Sequence, residues 1–131
     1  MPPSPSKRKN SFRRFAESAG RRAEFWAALF LRAQAYRIVG QRVKTPLGEI
    51  DLIAQRWGVT VFVEVKSRSF SSEEARALEA VNRKRIVRAA QYWLIHRPAI
   101  ANSPLRFDVI FLAPFAWPRH IVNAFDATGL I

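Results

Sequence analysis

The segment Gly48-Glu49-Ile50-Asp51-Leu52-Ile53, followed one turn later by Phe62-Val63-Glu64-Val65-Lys66, constrains this chain more than any other stretch. Both runs read as strands, and each carries charged residues at alternate positions. Strand side chains alternate between faces, so Glu49 and Asp51 share one face, and Glu64 and Lys66 share another. Trp57-Gly58 is the natural corner, because glycine tolerates the positive φ of a tight hairpin turn. With Arg56 paired to Val59 around that corner, Asp51 falls opposite Glu64 and Glu49 opposite Lys66. A slip of one residue would send the acids to opposite sides of the sheet. In the first register two carboxylates and a lysine converge on one small patch. That is the make-up of a metal site beside a general base.

The plain alternative is a hairpin whose charges form a solvated outer face. Against it, Val61, Val63 and Val65 form an apolar face, and Ile50, Leu52 and Phe62 leave little of either strand polar. The pair therefore reads as largely buried. Carboxylates on buried strands are costly unless cations or hydrogen bonds compensate them. Asp51 and Glu64, facing each other, repel; a divalent cation relieves that repulsion, and so would Lys66.

Composition narrows the partners. A chain of 131 residues fits one domain with a real core. With 22 basic and 10 acidic residues its formal charge is +12, which favours polyanions: nucleic acid first, an anionic membrane surface second. Cysteine is absent, which excludes disulfides, thiolate zinc sites and cysteine nucleophiles. His96 and His120 are too few for a histidine-based zinc centre, so any metal should take oxygen ligands, as Mg²⁺ or Mn²⁺ do. No apolar run approaches the roughly 20 residues that span a bilayer. The most apolar stretch, Val109 to Trp117, is interrupted by Pro114. Residues 1–14 hold Pro, Ser, Lys and Arg but no acid and no apolar signal core, so a cytoplasmic protein with a disordered basic arm is expected. A merely solubilising tail is the alternative. Residues 15–131 then form a single domain.

The spacing of Ala23, Trp26, Ala27, Phe30 and Leu31 predicts a helix from about Ala16 with a core-facing stripe, and Glu24 lies at the edge of that stripe. Ile38 to Lys44 reads as a strand, the hairpin supplies two more, and Ser69 to Ala80 reads as a polar loop. Asn82 is expected to cap a second helix through His96, ended by Pro98. Its core face is Ile86, Val87, Ala90, Trp93 and Leu94, while Arg83, Lys84, Arg85 and Arg88 crowd its first turns against the helix dipole. Phosphate contact would favour those cations there; loose solvation is the alternative. Leu105 to Leu112 and His120 to Phe125 close the chain as strands. The order helix, three strands, helix, two strands describes an α/β layered domain.

The ordered set Gly20…Ala23-Glu24, Tyr36-Arg37-Ile38, Gly48-Glu49-Ile50-Asp51-Leu52-Ile53, Val61-Phe62-Val63-Glu64-Val65-Lys66-x-Arg68, Ala80-Val81-x-x-Lys84, Arg106-Phe107-Asp108-Val109 and Asn123-Ala124-Phe125 closely resembles the YraN-type family of bacterial predicted endonucleases. The resemblance covers about Gly20 to Phe125. It implies a restriction-endonuclease-like core of the PD-(D/E)xK superfamily, similar to archaeal Holliday-junction resolvases, with a mixed central sheet of about five strands flanked by helices. It also implies catalytic roles for Glu24, Asp51, Glu64 and Lys66, with Asp51, Glu64 and Glu24 as ligands of Mg²⁺ or Mn²⁺. Arg22, Arg68, Lys84 and Arg85 are the corresponding candidates for phosphate contact. Two positions depart from the pattern: Ile50 stands where the superfamily often has proline, and Asn82-Arg83 where relatives begin the second helix with Thr-Pro. Neither removes a carboxylate or the lysine.

What the resemblance implies is metal-assisted phosphodiester hydrolysis on DNA, with branched DNA as one substrate and a homodimer as the pairing that symmetric cutting requires. Glu49 is open between positioning Lys66 and a structural role, and Asp108 is expected to anchor Arg106 instead of a metal. Two other classes stay open: a catalytically idle nucleic-acid-binding relative, and an interaction protein associated with RNA or the ribosome. An exposed aromatic among Trp57, Phe70 and Trp117 would mark a dimer interface; a core position is the equal alternative for each.

Overall fold

A computed structural model describes residues 21–67, 73–113 and 115–125, with the side chains of 73–81 excepted. The expected basic arm, Arg68, Phe70 and the start of the first helix lie outside the described residues. Helix α1 occupies 21–33, followed by β1 (Arg37–Thr45), β2 (Gly48–Arg56), β3 (Val59–Lys66), α2 (Glu73–Ile95), the short α3 (Pro98–Ala101), β4 (Leu105–Phe111) and β5 (Arg119–Phe125). The five strands form one sheet in chain order. β1, β2 and β3 are antiparallel neighbours, β4 runs parallel to β3, and β5 returns antiparallel to β4. The parallel step needs a crossover, and α2 provides it. This is the mixed five-stranded sheet flanked by helices that the family resemblance implied.

Each face of the sheet carries its own apolar layer. On one, Ile86, Val87, Ala90, Trp93 and Leu94 of α2 cover Ile53, Phe62, Phe107 and Phe125. On the other, Ala27, Ala28 and Leu31 of α1 cover Leu52, Ala54, Val61, Val63 and Ile110. The α2 stripe matches the sequence expectation. The α1 stripe matches at Ala27 and Leu31, which are buried, and at Phe30, which packs partly buried against them, but Trp26 is exposed and Ala28 takes its place in the core. Helix α1 ends with Ala35 at φ 71. The Tyr36 N–H donates to the Leu31 carbonyl at 3.0 Å and the Ala35 N–H to the Arg32 carbonyl at 3.1 Å. That reversal drops Tyr36 into the second apolar layer.

One boundary departs further. The expected loop from Ser69 to Ala80 is helical from Glu73, so Asn82 sits inside α2 and does not cap it. The run Glu73-Glu74-Ala75-Arg76-Ala77-Leu78-Glu79-Ala80 consists of strong helix formers, with acids at the end that the dipole favours. Polarity alone is a poor sign of a loop. Arg83, Lys84, Arg85 and Arg88 are therefore mid-helix, and their conflict with the dipole disappears.

The two hairpins have legible turns. Trp57 and Gly58 both have positive φ, 53 and 80, which suits a two-residue hairpin turn of the right twist. At the other, Thr45 Oγ1 accepts the N–H groups of Leu47 at 3.2 Å and Gly48 at 3.0 Å. Gly48 is required by close approach: a Cβ there would lie 3.2 Å from the Arg85 carbonyl oxygen of α2. Gly48→Ala should push α2 from the sheet and cost about 1–2 kcal/mol, read as a lowered melting temperature. An unchanged melting temperature would remove that role for the glycine.

Candidate active site

The β2–β3 ladder has the register expected from sequence, Arg56↔Val59 through Leu52↔Val63. Beyond that pair the Asp51 side chain, not its backbone, meets β3: the Val65 N–H donates to Asp51 Oδ2 at 2.8 Å. At the same point β2 loses its strict alternation. Ile50 packs in the α2 layer although Leu52, two residues on, packs in the α1 layer. The strand pair thus parts where the carboxylates stand, and Asp51 compensates the N–H that the parting exposes.

Glu64 and Lys66 project from the C-terminal half of β3. Lys66 Nζ lies 3.1 Å from Glu64 Oε1, and the lysine is only 8% exposed. Among the described residues, Glu64 Oε2 is buried with no hydrogen-bond partner. A buried carboxylate oxygen left without a donor is costly and calls for a cation or a proton donor. Asp51 and Glu64 line a pocket of ≈ 280 Å³ together with Glu49, Asn82 and Arg85. This pocket lies between the open end of the hairpin and α2.

Glu24 comes from α1 and reaches the same charge cluster. Burial, with Asp51 as the next cause, pushes its carboxyl up to about 7, and Arg42 and Arg21 only partly offset this. Burial likewise pushes Asp51 up to about 6, helped by Glu64 and Glu49 and opposed by the Val65 hydrogen bond and Lys66. Arg42 Nε stands 3.5 Å from Glu24 Oε2 and 3.6 Å from Glu49 Oε1. Glu49 is thus paired with Arg42, a residue the sequence reading missed. Arg42 sits at φ 48, beyond a register shift in β1, and no strand pattern announces a side chain redirected by such an irregularity.

The raised carboxyl of Asp51 has a consequence for stability. Its folded value lies above its unfolded value, so the penalty is absent in acid and fully present once pH exceeds both. Well above 6, without divalent cations, the ionised group should cost about 3 kcal/mol. Asp51→Asn keeps an acceptor for Val65 and should melt several degrees higher at neutral pH in EDTA. The gain should vanish in acid, and a variant less stable at neutral pH would contradict it.

Among the described residues no three acidic or histidine side chains are already gathered into a cation cage. Asp51 and Glu64 nevertheless suit Mg²⁺, which uses one or two carboxylates and completes its shell with water and phosphate oxygens. The partnerless Glu64 oxygen is the observation that makes them fit.

The phosphate candidates divide. Arg85 lines the carboxylate pocket. Arg22 is exposed on α1 two residues before Glu24, and Lys84 is exposed on α2 but does not line that pocket. Asp108 anchors Arg106, as expected, in a bidentate pair at 2.8 Å.

The family model "Uncharacterised protein family UPF0102" matches residues 23–112. The chain belongs to this family. UPF0102 is the YraN-type family that the ordered motifs resembled. The chain is 45% identical over 126 residues to a UPF0102 protein of Bradyrhizobium sp. (strain ORS 278), covering 96% of this chain and 89% of that one. A UPF0102 protein of Caulobacter sp. (strain K31) is 47% identical over 114 residues, 87% of this chain and 82% of the relative. One from Rhodopseudomonas palustris (strain ATCC BAA-98 / CGA009) is 50% identical over 109 residues, 83% and 84% of the two chains. The UPF0102 match spans every candidate catalytic residue, from Glu24 to Lys66. Among the described residues of this UPF0102 chain, no helix is long and apolar enough to cross a membrane.

Proposed function

We propose that this UPF0102 protein is a metal-dependent endonuclease that hydrolyses phosphodiester bonds of DNA in the cytoplasm. The reading rests on one observation above all: among the described residues, Glu64 Oε2 is buried without a partner beside Asp51 and Lys66. Asp51 and Glu64 would hold Mg²⁺ or Mn²⁺, with Glu24 as a further carboxylate reaching the cluster from α1. Such an ion supplies charge neutralisation at phosphate and a lowered pKa for bound water.

The chain's own groups account for the rest. Lys66, fixed by Glu64, places an ammonium where a non-bridging phosphate oxygen would gain charge. Glu24, which shares the charge cluster of Asp51, would hold the attacking water or a further ion from the α1 side. The water oxygen bonds to phosphorus as one ester P–O bond breaks, and the proton that the water gives up is balanced, through solvent, by the one that the departing oxygen takes up. Arg85 and Arg22 steer the backbone through long-range attraction, which a charge of +12 reinforces.

A non-catalytic nucleic-acid-binding protein is the second reading, favoured by the absence of a gathered cation cage among the described residues. Asp51→Asn separates the two. It should abolish cleavage and leave salt-sensitive DNA binding in EDTA intact, whereas cutting at the wild-type rate would place the chemistry elsewhere.

A further inference from the structure

A second cavity opens on the α1 side of the sheet. It is a groove of ≈ 730 Å³ walled by Trp26, Leu29 and Phe30 of α1 and by Leu112 and Trp117 from the β4–β5 connection. Trp26 is 58% and Trp117 90% exposed. Soluble chains rarely leave contiguous aromatic surface open without a use. The groove's lining also includes Ala23 and Ser67, the chain neighbours of Glu24 and Lys66. It therefore begins one residue from two members of the carboxylate–lysine site.

We infer that this groove takes the unpaired bases of a single DNA strand next to the phosphate being cut, an inference that rests on the nuclease reading. Three features select this occupant. Two of its exposed walls are indole rings, which offer flat π-faces on which any base stacks. Exposed Arg21, Arg22 and Arg119 lie close to the lining residues in sequence, supplying charge for the backbone that accompanies those bases. A second copy of this chain suits the surface poorly, because two chains of +12 would bring like charges together, whereas a polyanion neutralises them. The groove thus gives a preference for DNA that is unpaired near the cut, such as flaps, gaps and junction arms.

The test uses the full chain in EDTA, so that binding is read without cleavage. The probes are fluorescent oligothymidylate, an abasic strand of equal length with the same phosphates, and a blunt duplex. Wild type should bind oligothymidylate about tenfold or more tightly than the abasic strand. The Trp26→Ala/Trp117→Ala variant should lose that difference while keeping duplex affinity and salt dependence. Both side chains are exposed, so its melting temperature should stay close to wild type; Trp26→Phe/Trp117→Phe should retain most of the preference. A wild type that binds both strands equally, or an alanine variant that keeps the preference, overturns the inference. So does an alanine variant whose only change is loss of a dimer in sedimentation. None of these results depends on cleavage, so the nuclease reading stands or falls separately.

Discussion

Asp108→Ala should cost about 3–5 kcal/mol and leave little folded protein at physiological temperature. Asp108 is fully buried, yet its carboxylate is surrounded by donors. Arg106 Nε and Nη2 each donate at 2.8 Å, His120 Nε2 at 2.7 Å, and the Asn123 N–H at 2.9 Å. Arg106 also donates to Tyr36 Oη at 2.6 Å, so this one carboxylate links β4, β5 and the segment leaving α1. Its removal strands a guanidinium and a backbone N–H together. Burial alone would raise its pKa, but the hydrogen bonds from His120, Arg106 and Asn123 outweigh burial and hold it below the usual carboxylate range. A lowered folded pKa means that the stabilisation is present above the ordinary carboxylate range and is lost as pH falls through the folded value. Urea melts of wild type should therefore weaken in acid, and Asp108→Asn should show a smaller acid loss. Equal acid sensitivity in both would show that another group carries it.

Glu64→Gln should lower cleavage about a thousandfold or more and abolish stabilisation by Mn²⁺. The carboxylate supplies the partnerless buried oxygen and also the anchor of Lys66. A metal's share of transition-state stabilisation is several kcal/mol, and each 1.36 kcal/mol is tenfold in rate. The amide is nearly isosteric but binds Mg²⁺ poorly and cannot pair with the lysine as an ion. Melting curves with and without Mn²⁺ separate the two losses. If Mn²⁺ shifted the Gln variant as much as wild type, Glu64 would not be a ligand.

Most of the fold could be read from residue pattern. The Trp57-Gly58 corner set the register of β2 and β3, and valine alternation marked β3 as buried. The aliphatic and aromatic spacing along α2 identified its inner face. What escaped has physical causes. The start of α2 was hidden because its first turns are polar, and polar helix formers resemble loops unless propensity is weighed. Trp26 was misplaced because size and periodicity cannot say which side of an apolar stripe meets the sheet; small Ala27 and Ala28 allow the close contact, and the indole is left outside. At the site, strand spacing brought Asp51, Glu64 and Lys66 together. Glu24, from a helix distant in sequence, entered through resemblance alone. Arg42 was invisible because a β-irregularity turns its side chain, and irregularities have no fixed sequence period.

The account stands most directly on cleavage. Labelled linear duplex, single-stranded, flap and four-way-junction DNA should be incubated with the full chain in Mg²⁺ or Mn²⁺, alongside EDTA and Lys66→Ala controls. The account predicts metal-dependent cutting that EDTA and Lys66→Ala both abolish. Wild-type protein that leaves every substrate intact, while binding them in a salt-sensitive manner, would contradict it and make the chain a nucleic-acid-binding protein on a nuclease-like fold.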